Sequence, residues 1–145
     1  MNIVMDNYKV DEEATKAAVE KYLLQAREYK VIAYIPQEAV ITASYSAVPR
    51  GYTGTTTDQT ARIAGRNVDE QERRRRHVER AEQAIGRLGE RQRKLIQIRY
   101  MDEDHVLDYD AAMDLGFSDR HYRRIKSAAI FRLAGMLGLL VLTED

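Results

Sequence analysis

The residues best suited to recognition chemistry lie close together near the C-terminus. The run Ser118-Asp119-Arg120-His121-Tyr122-Arg123-Arg124-Ile125-Lys126 mixes polar and apolar side chains at helical spacing. With Tyr122 and Ile125 turned to a core, Asp119, Arg120, Arg123 and Arg124 are left on the exposed side. An Arg guanidinium is a planar fork that matches O6 and N7 of guanine, and a good pair discriminates by about 1–3 kcal/mol. Ser118 and Lys126 suit phosphate oxygens. For His121, contact with base or phosphate and plain exposure stand equal. The plainer reading of the whole run is a charged helix of a bundle, but the turn, cap and Arg set before and within it agree with one another.

The elements that must position this run are legible upstream. LDYDAAMDL (107–115) reads as a short helix with Asp108 as its N-cap and Ala112 and Leu115 facing inward. Gly116 tolerates positive φ, Phe117 seals the angle, and Ser118 caps a helix over 119–137. A small residue must face the second helix, and Ala111 or Ala112 supplies it. Short helix, glycine turn, serine cap and longer basic helix are the parts of a helix-turn-helix, whose second helix enters the major groove.

Earlier segments supply the rest of a bundle. ERQRKLIQIRYM (90–101) is a helix with Leu95 and Ile98 on one face, and residues 68–88 form a long helix stopped by Gly89. Its apolar spacing runs Val78, Ala81, Ile85, Leu88. Residues 11–34 form a helix capped by Asp11, with a stripe at Ala14, Ala18, Tyr22, Ala26, Tyr29 and Ala33 and with Val19 and Leu23 alongside. Tyr22, Tyr29 and Tyr34 read as core or dimer contacts rather than a stacking platform. Between these helices, residues 36–67 hold both prolines. A short element is expected near Glu38–Tyr45 and loop from Pro49 to Asp58. The fold expected is all-α: an N-terminal helix and irregular segment over 1–67, then a DNA-binding domain over 68–145. The apolar end MLGLLVLTED packs back on the domain or on a partner.

A formal net charge of zero over 145 residues speaks against nucleic acid only as a total. Residues 62–100 hold twelve basic and six acidic side chains, and residues 119–134 hold five and one. Between them, 101–118 carry six carboxylates and no cation. Association follows local potential within a Debye length of about 8–10 Å, so the blocks matter more than the sum. Arg73, Arg74, Arg75, Arg76 and Arg80 are either phosphate or partner contacts or a solvated face paired with Glu70, Glu72 and Glu79 at helical spacing.

Several functions find no support. There is no Cys, so no disulfide, no Cys-based zinc site and no thiol nucleophile. His77, His105 and His121 lack metal-ligand spacing. The acidic stretch 102–114 lacks the glycine and final glutamate of a calcium loop. TGTTTDQT lacks a phosphate-loop pattern, and no catalytic dyad is evident. The expectation is a non-enzyme with no cofactor and no metal. No apolar run approaches the roughly 20 residues of a membrane span, and the N-terminus does not resemble a signal peptide, so a cytoplasmic protein is expected.

At LGERQRKLIQIRYMDED (88–104) and DYDAAMDLGFSDRHYRRIKSAAIFRLAGMLG (108–138) the sequence resembles region 4 of bacterial sigma factors. The spans ITASYS, TTDQTA and NVDEQERRR (67–75) extend a resemblance to the ArpU family of phage transcriptional regulators over nearly the whole chain. The resemblance implies control of late genes in phages and prophages of Gram-positive bacteria. It maps the promoter-reading residues onto Asp119, Arg120, Arg123 and Arg124. It also implies an activator that binds double-stranded DNA and touches host RNA polymerase or sigma factor. A homo-oligomer is expected, because specific sites usually need two half-sites, with the N-terminal helix and Met136–Leu142 as surfaces that pair chains. The rival expectations are a small terminase-like packaging subunit and a sigma-mimicking interaction module without DNA contact.

Overall fold

The computed structural model describes residues 8–38 and 53–144. Among the described residues, five α-helices carry the fold: α1 Glu12–Val31, α2 Thr53–Gly86, α3 Glu90–Ile96, α4 Asp108–Leu115 and α5 Asp119–Leu137. The all-α expectation holds. A small antiparallel ribbon, β1 Tyr8–Val10 on β2 Leu142–Glu144, joins the two ends of the chain. It pairs Tyr8 with Glu144, Lys9 with Thr143 and Val10 with Leu142. The apolar C-terminal segment therefore folds back on the domain, as one of the two expected outcomes.

Local chemistry explains each boundary. The Asp11 carboxylate accepts from Ala14 N at 3.0 Å and caps α1, where Glu12 and Glu13 meet the helix dipole. Gly116 and Gly138 end α4 and α5 in the left-handed region, at φ 68° and 70°. Leu139 N then reaches back to Ala134 O at 2.9 Å, and Phe117 N to Ala112 O at 3.0 Å, which satisfies carbonyls of the last turns. The Ser118 hydroxyl accepts from His121 N at 3.2 Å, as its place in the sequence demands.

Three local expectations are corrected. α2 begins at Thr53 rather than residue 68, so the loop expected as far as Asp58 is helix from Thr53 onward. Once a helix is nucleated downstream, adding poor helix formers costs only about 0.5–1 kcal/mol each. The part of the expectation covering Pro49–Tyr52, and the element from Ala39 to Tyr45, lie outside the described residues. On α1 the buried face centres on Val19, Leu23 and Ala26, as read from the sequence, but is completed by Thr15 and Arg27; Ala14 and Ala18 are half-buried and Ala33 is exposed. Finally, the cap of α4 is not Asp108. Leu107 occupies that position, and Asp110 accepts from its N–H at 3.2 Å.

The core is continuous. Val19 and Leu23 of α1 join Ala84, Ile85 and Leu88, then Leu95, Ile96 and Tyr100, then Ala111, Tyr122, Ala129, Ile130, Leu133, Ala134 and Leu137. Helices on both sides of residue 67 thus contribute to one core. After Ile96 the backbone widens into a π-helical turn, Gln97–Asp102. Such turns re-aim side chains within a helix, and here Tyr100 is almost wholly buried and donates to Glu20 Oε2 at 3.0 Å. Ile125 is only half-buried and packs at the edge of the core.

α1 and the middle of α2 meet through polar and aromatic groups. Tyr22 stacks on His77 with ring centroids 3.8 Å apart, and His77 Nε2 donates to Tyr22 O at 2.9 Å. One turn away, the Arg74 guanidinium lies 4.9 Å from the Tyr29 ring and 4.8 Å from the Tyr34 ring. Asn67 accepts from Tyr34 Oη and Gln37 N and donates to Gln37 O, each at 2.9 Å. The three tyrosines therefore tie α1 to α2 within the chain.

Candidate nucleic-acid interface

The candidate interface is built from the turn Gly116–Ser118 and the first two turns of α5. Phe117 packs against the core and meets the His121 ring edge-on at 4.8 Å, fixing His121 beside the turn. Asp119, Arg120, Arg123 and Arg124 are all exposed, as the sequence predicted. They are not equivalent. Arg120 makes no hydrogen bond or ion pair among the described residues. Arg123 is ion-paired with Asp119 at 3.1 Å, and Arg124 donates to His121 Nδ1 at 3.1 Å. Ser127 continues the exposed face one turn on, at i+4 from Arg123.

Lys126 departs from its expected role. Its side chain is 8% exposed, and Nζ donates to both oxygens of Asp108 at 2.9 Å. It is a link between α4 and α5 rather than a surface cation. The same carboxylate accepts from Tyr122 Oη at 2.7 Å and from Arg99 Nε at 2.9 Å. Burial opposes ionisation of Asp108, but hydrogen bonds from Tyr122, Lys126 and Arg99 outweigh it and bring its pKa down to about 2. Burial and the Asp108 hydrogen bond push the Tyr122 hydroxyl up. The sequence gives Asp108 the look of a cap because Asp before a helix usually is one. Its links to residues 14 and 18 positions onward appear only when α5 packs on α4.

A cleft of about 440 Å³ lies beside this network, between the start of α1 and α5. Lys16, Arg123, Ser127 and Phe131 line it together with Glu12, Glu13 and Asp119. Lys16 is a cation near the candidate interface that spacing could not identify, because more than a hundred residues separate it from Arg123. The carboxylates keep the cleft mixed in charge.

The Arg run on α2 is largely paired. Glu70 accepts from Arg73 and Arg74, and Glu72 from Arg75 and Arg76. Arg75 also pairs with Glu79. Hydrogen bonds from these Arg groups hold both Glu70 and Glu72 near a pKa of about 2. Arg73 donates to Tyr29 Oη at 3.0 Å, and Arg80 reaches Leu137 O at 3.5 Å. The run thus combines a paired surface with a brace to α1 and α5, and Arg76 is its most exposed member.

Among the described residues, no cluster of His, Asp or Glu is placed to hold a metal ion, and no helix is long and apolar enough to cross a membrane. Set against family models, curated proteins and solved structures, the chain matches none.

Proposed function

We propose that the chain is a sequence-specific DNA-binding transcriptional regulator of the ArpU type, acting on late genes of a phage or prophage. The observation that supports this reading is the exposed set Arg120, Arg123 and Arg124 on the first turns of α5. A left-handed glycine and a serine cap present that set after a short preceding helix. The helix N-terminus, two half-engaged Arg side chains and one Arg unpaired among the described residues suit the edges of bases flanked by phosphate. Activation through host RNA polymerase or sigma factor, in the bacterial cytoplasm, comes from the family resemblance.

Genome-wide mapping of bound DNA, followed by footprinting on one bound fragment, tests the reading. Arg120→Ala, Arg123→Ala and Arg124→Ala should each weaken specific binding about 5- to 150-fold, the range of one Arg–guanine pair. A promoter-upstream protected site is the expected result. Binding without any preferred site, or a ring-shaped particle on DNA ends, would replace regulation with packaging.

A further inference from the structure

The outer face of α4 carries exposed apolar residues that are unpartnered among the described residues and lie beside an acidic column. Leu107, Tyr109 and Met113 are 64%, 72% and 65% exposed. Tyr109 and Met113 stand one turn apart, at i and i+4, and form a short column. Asp110 and Asp114 form the adjacent column at the same spacing. Ala111, on the opposite side, is fully buried, so the orientation of α4 is fixed by the core and the patch cannot turn inward. Single exposed apolar residues are ordinary, but a contiguous patch rimmed by polar groups marks an interaction surface.

Charge decides what kind of partner fits. Asp102, Glu103 and Asp114 are exposed and pair with no cation among the described residues. Glu70 and Glu72 on α2 differ, since each is held by two Arg side chains. The buried Arg27 anchors the turn before α4 through Asp104, so that turn keeps its other carboxylates turned to solvent. Nucleic acid would meet repulsion from every one of these groups.

We infer that α4 is a docking surface for a basic segment of another polypeptide, one that sets an apolar side chain on Tyr109 and Met113 with Lys or Arg facing Asp110 and Asp114. This is the helix-on-helix mode of peptide recognition, with charges fixing register and apolar anchors giving affinity. It uses α4 rather than the Arg face of α5, and so stands whether or not α5 reads DNA.

The test uses the isotope-labelled full chain and a synthetic amphipathic Leu/Lys helical peptide, with its Leu/Glu counterpart as control. Amide shift changes should centre on residues 107–114 with the Lys peptide only and weaken as salt rises. The double substitution Tyr109→Ser with Met113→Ser touches exposed side chains only and should weaken binding at least tenfold. Asp114→Lys, which leaves the Asp110 cap intact, should do the same. Equal binding by these variants, or shifts centred elsewhere, would overturn the inference. So would the same residues responding to duplex DNA, or to protein concentration without peptide, which would make the occupant nucleic acid or a second copy.

Discussion

Lys126 Nζ lies 2.9 Å from both carboxylate oxygens of Asp108, joining the first residue of α4 to the third turn of α5. The Lys126 side chain is only 8% exposed, whereas that of Asp108 remains about half exposed, at 48%. A pair with one wet and one dry partner is asymmetric. Losing the carboxylate strands a buried charge, while losing the ammonium leaves a carboxylate that water and Arg99 can still solvate. Tyr122 and Arg99 on the same carboxylate make Asp108 the joint at which α4, α5 and the π-helical turn meet.

That asymmetry predicts an order of stabilities. Asp108→Ala should cost about 2–4 kcal/mol, and Lys126→Met, which keeps the buried stem, about 1 kcal/mol or less. Urea unfolding of the two variants measures both. A larger loss for Lys126→Met would place the weight of the joint on the ammonium instead.

Acid should weaken the same joint. The folded pKa of Asp108, at about 2, lies below its ordinary value near 4. The folded state therefore favours the ionised form, and this contribution is whole above about pH 4 and lost as pH falls towards 2. The stability difference between the wild type and Asp108→Asn should shrink across that window. Glu70 and Glu72 titrate in the same range but are common to both proteins, so they cancel in the comparison.

On DNA, Lys126→Met should leave the salt dependence of binding unchanged, because the ammonium is committed to Asp108. A phosphate-contacting lysine would instead lower the slope of log affinity against log salt by about 0.9. Titrations of one bound fragment between low and moderate salt distinguish the two.

Asp119 should act as a restraint on Arg123. Asp119→Asn releases the guanidinium from its 3.1 Å ion pair and removes one negative charge from the first turn of α5. Nonspecific affinity should rise several-fold with a steeper salt slope, while preference among sites falls. Unchanged nonspecific binding would take Arg123 off the interface.

The α2 arginines should divide by their contacts. Arg75→Ala and Arg76→Ala remove solvent-screened, exposed ion pairs and should leave the unfolding midpoint nearly unchanged. Arg74→Ala removes a guanidinium that lies against both Tyr29 and Tyr34, and should cost about 1 kcal/mol or more in thermal or urea unfolding. Equal effects across the three would mean the run is surface throughout.

Much of the α4–turn–α5 unit was readable because its signals are local. Gly116 with positive φ, the Ser118 cap, and the buried Tyr122, Ala129, Ile130 and Leu133 depend on neighbours within a turn or two. Locality failed at the ends of long elements. The start of α2 at Thr53 is set by a helix propagating back from its packed C-terminal half, against the weak preference of TGTTT. It failed also on α1, where Ala14 and Thr15 are both small enough to face a core. The chain just before β2 decided between them: Thr15 Oγ1 accepts from Val141 N at 3.0 Å, which turns Thr15 inward.

By itself, then, the sequence determined a helical chain, its charge blocks, and an Arg-bearing helix entered through a glycine turn, because periodicity and capping are short-range properties. Only the tertiary structure decided which of those charges remain free. Lys126 and Arg27 are buried against carboxylates, Arg73 to Arg75 are engaged by Glu and Tyr, and Arg120 has no partner among the described residues. An ion pair depends on distances of a few ångströms between groups that can be 77 residues apart, as Arg27 and Asp104 are. No spacing along the chain encodes that distance until the helices have packed.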